Sequence, residues 1–195
     1  MIPSSSFFRI PLQINQFYSS INTTNVAIKT KSNTMQNLTI ETAKTHDVSG
    51  IITLSASLQA DPTPCSYWGL DEGSVQRLLN KKNKTTVVAH QKSDIIGIGT
   101  VVQGEAYQCH LGEVSVAISP HDRRRGLAGK IIAKLEDIAK AQNIEIIKAL
   151  IWTENAPSRA LFESLGYEHK ATLYAEFKSA EFGEIDDCVY YKRIQ

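Results

Sequence analysis

Val114-Ser115-Val116-Ala117-Ile118-Ser119-Pro120-His121-Asp122-Arg123-Arg124-Arg125-Gly126-Leu127-Ala128-Gly129-Lys130-Ile131-Ile132 is the stretch that decides how this chain reads. Its first part is apolar and β-branched, as a buried strand is. Pro120 stops that strand, because proline has no N–H to give to a ladder. Three arginines and Gly126-Leu127-Ala128-Gly129 follow, and then a helical pattern begins. A turn of small residues that opens a helix aims several unpaired N–H groups at one point. The helix dipole adds positive partial charge there, so the turn suits a phosphate. Small residues also let a pyrophosphate approach the backbone closely.

Two familiar phosphate motifs are excluded. A Walker loop needs Gly-Lys-Ser/Thr, which this stretch lacks. The dinucleotide fingerprint needs Gly-x-Gly-x-x-Gly directly after the strand.

Composition narrows the field further. A chain of 195 residues suggests one domain with an extension. The apolar fraction of 42% is ordinary for a globular protein. A net charge of +1 argues against a general nucleic-acid binder, so the arginine cluster is aimed at one local anion. Cys65, Cys109 and Cys188 have no Cys-x-x-Cys spacing, and the five histidines are scattered. A disulfide framework and a metal site are therefore not expected, and a reducing, cytoplasmic setting is. No apolar run approaches the length of a membrane span.

Met1 to Asn33 is rich in Ser, Thr, Asn and Gln, and the first acidic residue of the chain is Glu41. An acid-poor, Ser-rich leader can be a transit peptide. Its single arginine and lack of amphipathic pattern favour a disordered tail, or an upstream start with Met35 as initiator. The expected division is an N-terminal extension over residues 1–34 and a folded domain over residues 35–195. Leu38 to Thr42 alternates as a half-buried strand does. Val48 to Gln59 follows as a helix, and Asp61-Pro62-Thr63-Pro64 breaks it. A second helix spans Leu70 to Leu79. Tyr67 and Trp68, between the two, fit core packing or a pocket wall. Thr85 to His90 and Ile95 to Val102 read as a hairpin, and Leu111 to Ser119 as a third strand. The helix after the phosphate turn buries Leu127, Ile131, Leu135 and Ile138, with Ile132 and Ala139 beside them. Ile144 to Trp152 is the next strand, which implies a parallel crossover.

A second informative segment is Asn155-Ala156-Pro157-Ser158-Arg159-Ala160-Leu161-Phe162-Glu163-Ser164-Leu165-Gly166-Tyr167. Pro157 suits a first helical turn and Gly166 a left-handed C-terminal residue. A last strand pair runs from Ala171 to Lys192 around Gly183.

Together these segments resemble the GNAT superfamily of acyl-CoA-dependent N-acetyltransferases. Arg123, Gly126 and Ala128 stand at the fixed positions of its motif A. Asn155, Ala160, Phe162, Gly166 and Tyr167 fall on its motif B. Asp187 lies at the usual acidic position of the closing hairpin. The resemblance covers Leu38 to Ile194. It implies an α/β fold of the α+β kind, with a mixed, mostly antiparallel central sheet flanked by helices. That sheet would splay between Leu111–Ser119 and Ile144–Trp152 to hold acetyl-CoA as co-substrate.

Carried over by position, the backbone of Val116, Ala117 and Ile118 would pair with pantetheine as an added strand. Arg123, Arg124, Arg125, Gly126, Leu127, Ala128 and Gly129 would hold the pyrophosphate. Asn155 would contact the pantetheine arm, cap its helix, or both. The acceptor would be an amine, which must lose a proton before it attacks a thioester. Glu113 is the candidate base, against the plainer reading of a solvent-facing strand-end carboxylate, and Glu154 is the weaker alternative. Many relatives use the motif B tyrosine as general acid. Phe162 stands there and has no proton to give, so either no acid is needed or Tyr174 reaches in from the next strand. The carboxylate that protein N-terminal acetyltransferases place before their asparagine is missing, with Leu150 near that position. The expectation is acetyl transfer to a small-molecule amine such as an amino acid or related metabolite. The alternatives are a protein amine, or a non-catalytic acyl-CoA sensor. The expected partners include no nucleic acid, membrane or metal, and the expected state is a monomer or homodimer.

Overall fold

Glycines in an inner strand set how closely the phosphate-turn helix approaches the sheet. A Cβ on Gly99 would lie 2.5 Å from the Ile131 side chain, a distance no real contact tolerates. Gly99 belongs to β3, Asp94–Gln103, and Ile131 to α3, Leu127–Ala141. The missing side chain lets α3 settle onto the strands, and this fixes where its N-terminus emerges. The computed structural model describes residues 37–60, 65–179 and 182–195. These belong to one compact unit, Thr34–Gln195. The expected extension over residues 1–34, and Asp61 to Pro64 of the predicted breaker, lie outside the described residues.

The other elements, in chain order, are β1 Leu38–Thr42, α1 Val48–Gln59, α2 Glu72–Asn80 and β2 Lys84–Gln91. After β3 come β4 Leu111–Ile118, α3, β5 Ile146–Trp152, α4 Ala156–Ser164, β6 Glu168–Ser179 and β7 Gly183–Arg193. The seven strands form one sheet in the order β1-β2-β3-β4-β5-β7-β6. Every neighbouring pair is antiparallel except β4 and β5, which are parallel. The fold is thus α/β, with a mixed, mostly antiparallel sheet flanked by helices.

Strand alternation makes two cores, one on each face. On one side Val87, Ala89, Val114, Ile118, Ile147 and Ile151 pack under α3 and α4. On the other, Val88, Ile95, Ile98 and Ala117 pack under α1 and α2. Each fully buried aliphatic side chain stabilises by roughly 1.5–3 kcal/mol. The five buried residues of α3, Leu127, Ile131, Ile132, Leu135 and Ala139, therefore hold it firmly. Ile138, expected within that stripe, is only partly buried against the core. The buried face centres between Ile131 and Ala139, which turns Ile138 to its edge.

The parallel pairing of β4 with β5 lasts three rungs: Leu111 with Ile146, Gly112 with Ile147, and Glu113 with Lys148. From Val114 onward β4 keeps its partner β3 but no longer pairs with β5. One backbone edge of Val114 to Ile118 is left open there. The expected splay is present at these two strands.

Candidate active site

The open edge of β4 is flanked by two cavities. The larger, of about 440 Å³, lies over Val116, Ala117 and Ile118 and runs to the N-terminus of α3. Arg123, Arg124, Gly126, Leu127, Ala128 and Gly129 line it, with Asn155, Pro157, Ser158 and Leu161 from the far side. The smaller, of about 260 Å³, is walled by Tyr67, Val114, Ser115, Leu150, Trp152, Phe162 and Phe177 among others. Cys65, Val116, Asn155 and Ser158 line both. The cavities therefore meet where β4 leaves β5.

The α3 end has the form the sequence predicts for an anion. Gly126 is its N-cap in the left-handed region, at φ 72°, and no side chain caps the helix. Nothing lies within 4 Å of where a Cβ on Gly126 would sit, so the space in front of the turn is open. Arg124 is also left-handed, at φ 60°, a conformation that costs roughly 1–2 kcal/mol for a residue other than glycine. Arg123 donates from Nε to the Ile118 carbonyl, 3.3 Å away, which ties the turn to the end of β4. Arg125 is not brought to the cavity. It pairs with the Asp122 carboxylate and lies 3.5 Å from Gln91 Oε1. A carboxylate three residues earlier offers it a closer partner than an open cleft does.

Asn155 caps α4. Its side-chain oxygen accepts the Ser158 N–H at 3.2 Å, and the side chain still lines both cavities. Ser158, which the sequence reading did not single out, lines both as well. Its only signal was its place one residue after the helix-opening Pro157. Tyr67 packs into the core and also walls the smaller cavity. It is 3% exposed, and its hydroxyl lies 2.7 Å from Ser115 Oγ and 3.2 Å from Thr100 Oγ1. Burial pushes this phenol up to about 12, against the opposing pull of those hydrogen bonds. Trp68 packs against the α1–α2 core and lines neither cavity.

Glu113 sits on the last paired rung, one residue before the cavity wall begins at Val114. Its Oε2 is 2.7 Å from Lys148 Nζ. Glu154 is exposed in the turn before α4. Tyr174 does not reach in: it is 85% exposed on β6. That strand is the outer edge of the sheet, with β7 between it and β5. Phe162 is buried against Tyr167 in an edge-on ring contact at 4.9 Å.

Asp187 is buried, 1% exposed, and its Oδ1 has no hydrogen-bond partner among the described residues. Burial pushes its carboxyl up to about 6, and the negative charges of Glu176 and Glu113 add to the shift. Among the described residues no group of three His, Cys, Asp or Glu side chains is arranged to hold a metal ion. No described helix is long and apolar enough to cross a membrane.

A mixed sheet that opens beside a basic helix N-terminus defines an acyltransferase-like fold, and comparison with known proteins agrees. Residues 74–181 match the family model described as an acetyltransferase (GNAT) domain. The chain belongs to this family and is an acyl-CoA-dependent acetyltransferase. Solved structures share the fold at low identity. An N-acetyltransferase from Staphylococcus aureus Mu50 superposes with a TM-score of 0.70 at 18% identity, covering 82% of this chain and 99% of that one. The yncA protein of Salmonella typhimurium, solved with its cofactor acetyl-CoA, gives 0.68 at 20%, covering 81% and 94%. A ribosomal-protein-alanine N-acetyltransferase from Brucella melitensis gives 0.71 at 21%, covering 80% and 99%.

Proposed function

We propose that the chain transfers the acetyl group of acetyl-CoA to a primary amine of a small molecule. One observation carries the reading. The open edge of β4 runs between an uncapped helix N-terminus bearing arginines and a small, mostly apolar cavity. The first supports a pyrophosphate. The second supports an amine of limited size.

The residues present suit acetyl-CoA. The N–H groups of Leu127, Ala128 and Gly129, with the charge of Arg123 and Arg124, would hold the pyrophosphate across the open space at Gly126. The edge of Val116 to Ile118 would pair with pantetheine by strand addition. Asn155 uses its oxygen as a cap, so its NH2 group would serve a pantetheine carbonyl. A protein of the same fold was solved with acetyl-CoA as its cofactor, which supports acetyl-CoA as the co-substrate. Acetyl-CoA supplies an acyl group already activated as a thioester.

Glu113 is assigned as proton acceptor. A free amine has a pKa near 10 and arrives protonated at neutral pH. Glu113 shares its sheet face with Ser115 and Lys148, beside the cavity, and would take the ammonium proton directly or through a water. The freed nitrogen would then bond to the acyl carbon, the carbon–sulfur bond would break with the electron pair leaving on sulfur, and the nitrogen's surplus proton would pass to the departing thiolate or to water. Thiols are acidic, near 8.5 for a cysteine, so departure as thiolate needs no dedicated acid. The positions of Phe162 and Tyr174 fit that economy.

Calorimetric titration with acetyl-CoA, followed by thiol release in the presence of varied amines, tests the reading. Binding together with amine-dependent thiol release is the expected result. Binding with no amine-dependent release would leave an acyl-CoA sensor instead.

A further inference from the structure

Ser158 stands where the two cavities meet, with a hydroxyl that the fold leaves unengaged. Only Cys65, Val116, Asn155 and Ser158, among the described residues, line both cavities. The other hydroxyl and amide groups nearby already have partners within the protein. Asn155 accepts the Ser158 N–H through its side-chain oxygen. Ser115 Oγ and the Tyr67 hydroxyl lie 2.7 Å apart, and both reach Thr100 Oγ1. Ser158 is half-buried, and its hydroxyl has no hydrogen-bond partner among the described residues. Cys65 carries only a thiol, which is a weak donor.

Its position on α4 gives this hydroxyl a use. Ser158 lies four residues before Phe162, one helical turn away on the same face, and both line the smaller cavity. Phe162 stands at the motif B tyrosine position and has no proton to give. The larger cavity follows β4 from Ile118 back to Val116, and the smaller one continues from Val116 to Val114. With the pyrophosphate at the α3 turn and the pantetheine arm along β4, the acyl end would enter the smaller cavity past Ser158. The sulfur joins arm to acyl group, so it would fall at the meeting point.

Resting on the cofactor placement proposed above, we infer that Ser158 is a catalytic residue whose O–H donates a hydrogen bond to the departing CoA sulfur. When the carbon–sulfur bond breaks, its electron pair goes to sulfur, and the growing negative charge meets this donor. The serine keeps its own proton, because it is a far weaker acid than a thiol. The surplus proton on nitrogen still passes to the thiolate or to water. A hydrogen bond to a charged acceptor is stronger than one to a neutral acceptor, so the contact tightens as the thioester comes apart. An interaction that strengthens toward the transition state lowers the barrier.

The test uses the full chain and reads the thiol of bound CoA. Thiolate absorbance is followed against pH in the parent and in Ser158→Ala, each saturated with CoA. A hydrogen bond to a charged group is worth about 10-fold to 100-fold, so the thiol should ionise about one to two pH units higher in the variant. Turnover of acetyl-CoA with an accepted amine should fall by a similar factor. Cys65, Tyr67, Asp122, Arg123 and Arg124, the titratable groups on the two cavities, are common to both proteins, so the difference isolates Ser158. Affinity for desulfo-CoA, which has no sulfur to hold, should be unchanged. The variant should fold, since alanine is the better helix former and the hydroxyl it removes has no partner. Ser158→Thr keeps a hydroxyl and should titrate with the parent; titration with the alanine variant would count against the assignment. Equal ionisation or equal turnover in parent and alanine variant would overturn it. Desulfo-CoA affinity falling along with CoA affinity would also overturn it, making Ser158 a holder of the pantetheine arm. A parent that binds no CoA would overturn the cofactor placement itself.

Discussion

Glu113 and Lys148 face each other across the last rung that joins β4 to β5, with Oε2 and Nζ 2.7 Å apart. Beyond this rung the strands part and the cavities begin. The candidate proton acceptor is thus fixed at the point where the sheet opens.

Glu113→Gln removes that acceptor with little change in size. General-base assistance is typically worth about 100-fold to 10,000-fold, so turnover at pH 7 should fall by a factor in that range. The loss should shrink at higher pH, where more amine arrives deprotonated. Steady-state rates from pH 7 to 10 check this. A pH-independent loss would make Glu113 a positioning group, and unchanged turnover a bystander.

Gly126→Asp should cut acetyl-CoA affinity at least 100-fold, by calorimetry. The residue is left-handed at φ 72°, and a side chain there would project into open space in front of the turn. The core is untouched, so the fold should survive a strain of roughly 1–2 kcal/mol. Affinity equal to that of the parent would move the pyrophosphate elsewhere.

Asp187→Asn should stabilise the fold at neutral pH. Its carboxyl titrates in the folded protein at about 6, up from 3.8, through burial and the charges of Glu176 on β6 and Glu113 on β4. Lys148, from β5, is paired with Glu113. Between those two values the folded state holds more protons than the unfolded one, so stability falls as pH rises from about 4 to 6. Above that window the whole cost is present, on the order of 1–3 kcal/mol at about 1.4 kcal/mol per pH unit. The variant should melt higher than the parent at pH 7.5, and the gap should close toward pH 4. A gap that ignores pH would contradict the assignment.

Tyr67→Phe should cost about 1 kcal/mol for the lost hydroxyl. Ser115 Oγ and Thr100 Oγ1, 2.9 Å apart, would keep each other satisfied. With its phenol pushed up to about 12, Tyr67 holds its proton, and turnover should stay within about threefold. A 100-fold fall would instead name it as the acid that Phe162 cannot be.

The form of the turn before α3 was legible because its signals are local. Pro120 ends a strand, Gly126 takes a left-handed turn, and α3 repeats its apolar residues at helical spacing. Each depends on a few neighbouring residues and on backbone rules that hold in any fold. The same is true of Asn155, whose cap follows from its place before Pro157. Arg125 was not legible in this way. Sequence adjacency put it with Arg123 and Arg124, but Asp122 and Gln91 turn it aside.

By itself, the sequence determined the order of elements and the left-handed glycine turn that opens α3. Only the tertiary structure decided which side chains share the cavity. Strand order β5-β7-β6 places β7 inside the sheet, and this buries Asp187 beside Trp152 while it leaves Tyr174 on the outer edge. Both residues sit in neighbouring strands of similar pattern, and nothing local separates them. Burial is a property of who lies next to whom across the sheet, and that is set by long-range pairing rather than by a residue's own neighbours in the chain.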